Sequence, residues 1–141
     1  MRSAAGLPDR AAAAGGGLTV AARVTPMIHV PDVRATALWY QSIGFEIVGT
    51  NEPDGAMDWA MLAFGSTHVM LSEGGRPSSE FRREVDLYVE TDDVAAAWER
   101  LKDEVEVVEG LHDTFYGMRE FIVRDLNRFW ITFGQRVPSG S

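Results

Sequence analysis

The chain has 141 residues, of which 45% are apolar and 24% are charged, and it carries a net charge of −8 and no cysteine. This length and balance are typical of one globular domain, or of two small modules that share a core. An acidic surface repels nucleic acid and anionic membranes, so we expect neither as a partner. The lack of cysteine excludes disulfides and thiolate chemistry. The negative charge mildly favours a cationic ligand, although charge of this kind also serves solubility.

The two ends of the chain are predicted to be disordered tails. Residues 1–20 are dominated by Ala and Gly, and Pro8 and Asp9 interrupt the segment that would form the apolar core of a signal peptide. Residues 137–141 form the second tail. No apolar run approaches the ~18 residues of a membrane span, so we expect a cytoplasmic enzyme or binding protein.

Residues 21–74 are predicted to form a β-α-β-β-β module. Asp32 is a good N-cap for a helix, and Gly44 is typical of the residue that ends one. Pro26 lacks an N–H group and therefore requires an edge position or a bulge in the first strand. The predicted elements are a strand at 24–30, a helix at 33–42 and strands at 45–48, 59–64 and 68–72.

A stretch rich in Gly, Pro and Ser, residues 75–84, is predicted to link this module to a second one at 85–136. Asp92 or Asp93 can cap the helix of the second module. Its predicted elements are a strand at 85–90, a helix at 94–102, a strand at 105–108, a loop at 110–114 and strands at 120–124 and 129–133. The turn residues of Asp125-Leu-Asn-Arg128 connect the last two strands.

The two modules repeat the same pattern at a nearly constant spacing. The helix cap recurs after 61 residues (Asp32 and Asp93), the strand at 45–48 after 60 residues and the strand at 68–71 after 62 residues. A repeat of this length indicates paired structural units that bury one another's faces. The predicted fold class is therefore α+β, built from two tandem β-α-β-β-β modules.

Three motifs, at residues 32–45, 89–98 and 116–125, occur in this order and resemble the vicinal oxygen chelate superfamily. That superfamily holds glyoxalase I, extradiol dioxygenases, fosfomycin-resistance enzymes and bleomycin-resistance proteins, and the resemblance covers about residues 22 to 135. It implies curved mixed sheets around a ligand-holding cleft, with the helices outside. It also implies a homodimer.

Metal enzymes of this superfamily place ligands in the first and the last strand of each module. By that resemblance, the positions fall on Thr25, Met70, Asp86 and Thr132. A hydroxyl is a weak ligand and a thioether suits soft ions, so one good donor remains among these positions. We therefore predict no metal, no other cofactor and no catalytic residue. The turn at 125–128 departs from the family as well, because the family usually has Asp-Pro-Asp/Glu-Gly there.

Alternation along the predicted strands turns a set of polar and aromatic side chains toward the cleft. The candidate ligand-binding residues, including two beside loops, are His29, Trp59, His68, Met70, Asp86, Tyr88, Tyr116, Glu120, Trp130 and Thr132. The aromatic members can stack on a ligand or fill the core, and the histidines can be hydrogen-bonded within the fold. The Glu120 carboxylate can pair with a ligand cation or with a nearby arginine.

The sequence thus predicts a metal-independent protein that binds and sequesters a small molecule, and it resembles the bleomycin-resistance branch. The ligand is expected to be cationic or aromatic, and antibiotic resistance is the role that the resemblance implies. The alternative is a metal-dependent lyase, isomerase or dioxygenase like glyoxalase, with a non-standard site drawn from His29, His68, Asp86 and Glu120. A third hypothesis is a domain without a ligand that serves assembly or regulation.

Overall fold

The computed structural model describes residues 23–76 and 83–138, and the chain divides into two compact units, residues 1–77 and 78–141. Each unit holds one helix and one mixed four-stranded sheet in the order β-α-β-β-β. The predicted α+β class and the repeated module are confirmed. The predicted tails lie outside the described residues, apart from the last residues before 139, and so does most of the predicted linker.

The first unit begins with an edge strand. Its elements are β1 (Met27–His29), α1 (Val33–Ser42), β2 (Glu46–Asn51), β3 (Trp59–Phe64) and β4 (Thr67–Ser72). The sheet order is β1-β4-β3-β2, with β1 parallel to β4 and the other pairs antiparallel. Pro26 directly precedes β1, and its carbonyl accepts a hydrogen bond from the Met70 N–H at 2.8 Å. This proline therefore lies at the edge of the sheet, as its missing N–H requires.

The second unit repeats this topology. Its elements are β5 (Asp86–Glu90), α2 (Val94–Leu101), β6 (Glu106–Asp113), β7 (Met118–Arg124) and β8 (Trp130–Arg136). The sheet order is β5-β8-β7-β6, with β5 parallel to β8. The predicted loop at 110–114 is wrong, because β6 continues to Asp113. The pairing of β6 with β7 has two register irregularities, one between Val107 and Glu109 and one between Glu109 and His112. They lie in the polar, glycine-containing part of the strand.

Both helices begin at an aspartate, as the repeat indicates. The Oδ1 atom of Asp32 accepts the Ala35 N–H at 3.0 Å, and the Oδ1 atom of Asp93 accepts the Ala96 N–H at 3.0 Å. Asp93, rather than Asp92, is therefore the cap of α2. In each unit this bond satisfies one of the N–H groups that the first helical turn leaves without an intrahelical partner.

Aromatic contacts show which side of each sheet packs against its helix. In the first unit Tyr40 of α1 contacts Phe45, with ring centroids 5.2 Å apart, and Phe45 contacts Phe64 at 5.0 Å. In the second unit Trp98 of α2 contacts Phe121 at 5.2 Å, and Phe121 stacks on Phe133 at 4.9 Å. The buried aliphatic residues of the same strand parity share this side. We call the opposite side of each sheet the helix-free face.

Within the described ranges, no helix is long and apolar enough to cross a membrane.

The turn between β7 and β8 is organised by Asp125. Its Oδ1 atom accepts the N–H groups of Asn127 at 2.7 Å and Phe129 at 2.8 Å, and its own N–H donates to the Phe129 carbonyl at 2.9 Å. Arg128 has a φ of 70°, in the left-handed region that favours glycine. The chain thus keeps the shape of a tight turn although its sequence departs from the family pattern.

Candidate functional site

The helix-free face of the second unit gathers five of the predicted site residues. Strand register places Asp86 of β5 beside Trp130 of β8, and Tyr88 beside Thr132. Glu120 lies on β7 on the same face, because it pairs with Gly134, two residues along β8 from Thr132. Alternation along the strands had predicted this grouping.

Glu120 is the polar centre of this face. Its side chain is only 3% exposed. The Tyr88 hydroxyl donates to Oε2 at 2.7 Å and the Tyr116 hydroxyl donates to Oε1 at 2.7 Å. Tyr116 lies in the turn between β6 and β7, so the two phenols reach one carboxylate from different elements. We call Tyr88, Tyr116 and Glu120 the tyrosine–glutamate cluster.

The expected pairing of Glu120 with an arginine is not present among the described residues, where Glu120 forms no ion pair. Its chain neighbour Arg119 points to the other face and binds Asp113 through Nε at 2.6 Å and Nη2 at 3.1 Å. The buried carboxylate is therefore held by neutral donors, which give each oxygen one hydrogen bond and do not neutralise its charge.

Gly134 makes the cluster possible, and sequence reasoning missed it. An alanine Cβ at this position would lie 2.1 Å from the Tyr88 hydroxyl oxygen and 2.7 Å from the adjoining ring carbon. The Tyr88 side chain therefore crosses β8 at the point where no side chain rises from the strand, and so reaches Glu120 on β7. A glycine inside an apolar strand is the available signal, since it marks a close approach of other atoms.

The cluster alters the acidity of both phenols. Burial, followed by the hydrogen bond to Glu120, raises the pKa of Tyr88 above its ordinary value. For Tyr116 the hydrogen bond to Glu120 comes first, and burial adds to it, in raising the pKa. Both phenols thus remain protonated donors across the neutral range, because a phenolate beside the Glu120 carboxylate would be repelled.

The rest of the face is mainly acidic. Outside the cluster, carboxylates are contributed by Asp86, Glu90, Glu106 and Glu109, guanidinium groups by Arg124 and Arg136, and an imidazole by His112, which is aligned with Glu120. Arg124 forms an ion pair with Glu106. Trp130 is half-buried and Thr132 is buried, whereas Tyr88 and Tyr116 are 50% and 53% exposed. The face thus combines accessible aromatic surface with an excess of negative charge.

The helix-free face of the first unit holds the other predicted residues. Met27 pairs with Met70, and His29 pairs with Ser72, which pairs with Trp59. Trp59 is fully buried, and its indole N–H has no hydrogen-bond partner among the described residues. Its burial indicates a packing role.

The two histidines of this face are engaged within the unit. His29 Nδ1 lies 3.0 Å from the Glu73 carbonyl oxygen, which fixes a proton on that nitrogen. His68 Nδ1 lies 3.2 Å from Nη1 of Arg23, which can only donate, so this nitrogen is an acceptor. Each side chain is thereby oriented by the fold itself.

The residues do not fit the metal site that the resemblance implies. The four positions carry two hydroxyls, one thioether and one carboxylate, a poor donor set for a divalent cation. Among the described residues no group of three or more His, Cys, Asp or Glu side chains lies close enough to hold a metal ion. The alternative set is not assembled either, because Asp86 and Glu120 are aligned with positions four residues apart on β8, roughly 13 Å along the strand.

Comparison with known proteins identifies the fold. A sequence profile of the Glyoxalase/Bleomycin resistance protein/Dioxygenase superfamily matches residues 22–133. TioX from Micromonospora sp. ML1 is 21% identical with a TM-score of 0.66, and the similarity covers 82% of this chain and 100% of TioX. A bleomycin-binding protein, solved in complex with bleomycin, is 16% identical with a TM-score of 0.65 and coverages of 82% and 98%.

A protein of unknown function from Agrobacterium tumefaciens str. C58 is 23% identical with a TM-score of 0.65, and the similarity covers 82% of this chain and 94% of that protein. No curated protein matches the chain. At these identities the structural similarities concern the fold.

Proposed function

The chain belongs to the Glyoxalase/Bleomycin resistance protein/Dioxygenase superfamily, and we propose that it is a metal-independent protein that binds and sequesters a cationic, aromatic small molecule. The observation that carries this proposal is the tyrosine–glutamate cluster. Glu120 supplies a buried negative charge, and the half-exposed rings of Tyr88 and Tyr116 supply aromatic surface beside it. Such a combination suits a ligand that is both positively charged and apolar.

The chemistry of the donor set supports binding over metal-dependent catalysis. The family positions on Thr25, Met70 and Thr132 offer hydroxyl and thioether groups where a catalytic cation needs imidazole or carboxylate. The bleomycin-binding protein gives a precedent for ligand binding on this fold. Bleomycin-like compounds, which join cationic and aromatic parts, are therefore the first candidates for the ligand.

Calorimetry with charged aromatic probes tests the proposal. The purified chain, with and without prior chelation, is titrated with metal-free bleomycin and with ethidium, and 1-pyrenesulfonate serves as an anionic aromatic control. We expect a cationic probe to bind equally well before and after chelation, and to be recovered chemically unchanged. Tighter binding of the anion, loss of binding on chelation, or conversion of the probe would contradict the proposal.

Substitution of Trp130 locates the binding surface. Trp130→Ala removes a half-buried ring from the helix-free face of the second unit, and we expect it to weaken ethidium binding about three- to tenfold. Trp39→Ala is the matched control, because Trp39 is a half-buried tryptophan on α1 in the first unit. Equal affinities in the two variants would place the ligand elsewhere.

The proposal extends to assembly and role. We propose that the chain acts as a cytoplasmic homodimer, as the family resemblance implies, and that it protects the cell from a toxic compound by sequestration. Light scattering coupled to size exclusion tests the dimer. Expression in a bleomycin-sensitive bacterium tests the role, since sequestration predicts a higher inhibitory concentration than that of an otherwise identical strain expressing Trp130→Ala.

A further inference from the structure

We propose that Tyr88, Tyr116 and Glu120 form a cage for a quaternary ammonium group, and that this group is the cationic part of the ligand. The inference deepens the proposed function and rests on it for the placement of the site. It adds a chemical class, because it separates alkylated ammonium ions from primary amines and guanidinium groups.

The first argument is the charge of Glu120. The side chain is 3% exposed and forms no ion pair within the described ranges. A buried carboxylate without a counter-ion is costly, because two neutral hydroxyls replace only part of its hydration. A positively charged ligand group placed over the cluster would supply the missing charge.

The second argument is the geometry of the hydrogen bonds. Each oxygen of Glu120 already accepts one short bond, from Tyr88 at Oε2 and from Tyr116 at Oε1. A guanidinium or primary ammonium group gains most of its affinity from direct hydrogen bonds to a carboxylate. Each oxygen of Glu120 keeps a second lone pair, but the side chain is only 3% exposed, so such a group could reach these lone pairs only by displacing a phenol. A quaternary ammonium group has no N–H to satisfy, so it can bind without disturbing them.

The third argument is the aromatic surface. Tyr88 and Tyr116 are 50% and 53% exposed although their hydroxyls point at one buried carboxylate, so ring surface remains accessible. Donation to an anion polarises each phenol and increases the electron density of its ring. Cations are attracted to such rings, and quaternary ammonium ligands are the usual occupants of aromatic cages.

Gly134 positions one wall of the cage. A Cβ at residue 134 would overlap the Tyr88 hydroxyl at 2.1 Å, so Gly134→Ala must displace the ring from Glu120. This substitution leaves all three cage residues in the chain. Gly134→Ala therefore tests whether binding requires the positions of the three residues and not only their presence.

Choline and its neutral isostere 3,3-dimethylbutan-1-ol test the cage by NMR titration. We expect choline to bind at least tenfold more tightly than the isostere, and more tightly than ethanolamine, which carries a primary ammonium. Glu120→Gln should reduce the preference over the isostere at least threefold, whereas Glu104→Gln, which removes an exposed carboxylate beyond α2, should leave it unchanged.

If Glu120→Gln does not fold, Gly134→Ala and Tyr88→Leu carry the test, and each should weaken choline binding at least threefold. Equal binding of choline and the isostere, or tighter binding of ethanolamine, overturns the cage. Ethidium binding without choline binding overturns the cage and leaves the proposed function intact. Glu120-dependent choline binding without binding of ethidium or bleomycin supports the cage and contradicts the aromatic ligand of the proposed function.

Discussion

At the scale of single residues, the candidate site depends on contacts between distant parts of the sequence. The Tyr88 hydroxyl bonds a carboxylate 32 residues further along the chain, and the Tyr116 hydroxyl bonds the same group across a turn. Alternation predicted that Tyr88 and Glu120 share a face. It could not predict their bond, which depends on the β5–β8–β7 register and on the missing side chain of Gly134.

The raised phenol pKa values predict a loss of stability in alkaline solution. Tyr88 and Tyr116 hold their protons more tightly when folded than when unfolded, where a tyrosine has a pKa of about 10. Their contribution is therefore fully present below about pH 10 and is lost as the pH rises above it. Urea unfolding from pH 8 to 11 should show a steeper decline for the wild-type chain than for Tyr88→Phe/Tyr116→Phe.

Absorbance of the phenolate, followed over the same pH range, gives an independent check. Tyr88 and Tyr116 should both ionise at higher pH in the folded protein than in urea. Parallel stability curves for the wild type and the double variant would contradict the role assigned to the cluster, because common effects of alkali act equally on both proteins.

Asp125 is predicted to be the main stabilising residue of its turn. The carboxylate is 4% exposed, and its Oδ1 atom accepts two backbone N–H groups. Asp125→Ala leaves both donors buried without this acceptor, which should lower the free energy of unfolding by about 2 to 3 kcal/mol. Asp125→Asn keeps an oxygen in place and should cost less than about 1 kcal/mol. Similar urea midpoints for the alanine and asparagine variants would show that the side-chain bonds contribute little.

At the scale of the elements, the bounds of the strands and helices are predicted mainly from apolar patterns and helix caps. Strands β3 and β4 and both helices lie within one residue of their predicted bounds. β3 is a continuous apolar run, the apolar residues of β4 and of the helices recur on one side, and an aspartate precedes each helix. The prediction of β6 was incomplete. Its second half is polar and contains Gly110, and it is held in the sheet by pairing with β7 instead of by an apolar pattern of its own.

Gly75 shows that composition alone does not identify a linker. The residue lies in the predicted linker, yet its N–H donates to the Val30 carbonyl at 3.2 Å. A Cβ there would lie 2.3 Å from the His29 carbonyl oxygen and 2.5 Å from the Val30 nitrogen. Because these contacts are with backbone, the end of β1 would have to move to accept a side chain.

The expected result is that Gly75→Ala lowers the free energy of unfolding by about 1 to 3 kcal/mol, the usual cost of overpacking. Gly110→Ala is a matched control, since its Cβ would make only ordinary contacts with Trp98, starting at 3.7 Å. Urea denaturation of both variants compares them directly. If the Gly75→Ala protein is as stable as the Gly110→Ala protein, the backbone after β4 shifts to accept a side chain at little cost in free energy.

At the scale of the whole molecule, the negative charge is unevenly distributed. Residues 78–141 contain 14 acidic and 8 basic side chains, a net charge of −6, whereas residues 1–77 contain 7 acidic and 5 basic side chains, a net charge of −2. The tyrosine–glutamate cluster lies in the more acidic unit. The helix-free face of this unit also carries Asp86, Glu90, Glu106 and Glu109. Under the proposed function, this charge attracts the cationic ligand.

This distribution predicts a specific dependence on salt. Raising NaCl from 0.05 to 0.5 M shortens the screening length to a few ångströms, which removes the attraction of the surrounding exposed carboxylates but preserves contact with the buried Glu120. Choline binding should therefore weaken about three- to tenfold and then level off, while binding of 3,3-dimethylbutan-1-ol should not weaken. In Glu120→Gln the choline affinity at 0.5 M NaCl should fall to that of the neutral isostere, because only the screened surface charge then remains to attract the cation. Identical salt dependence for choline and its neutral isostere would show that the acidic unit does not act on the ligand at all.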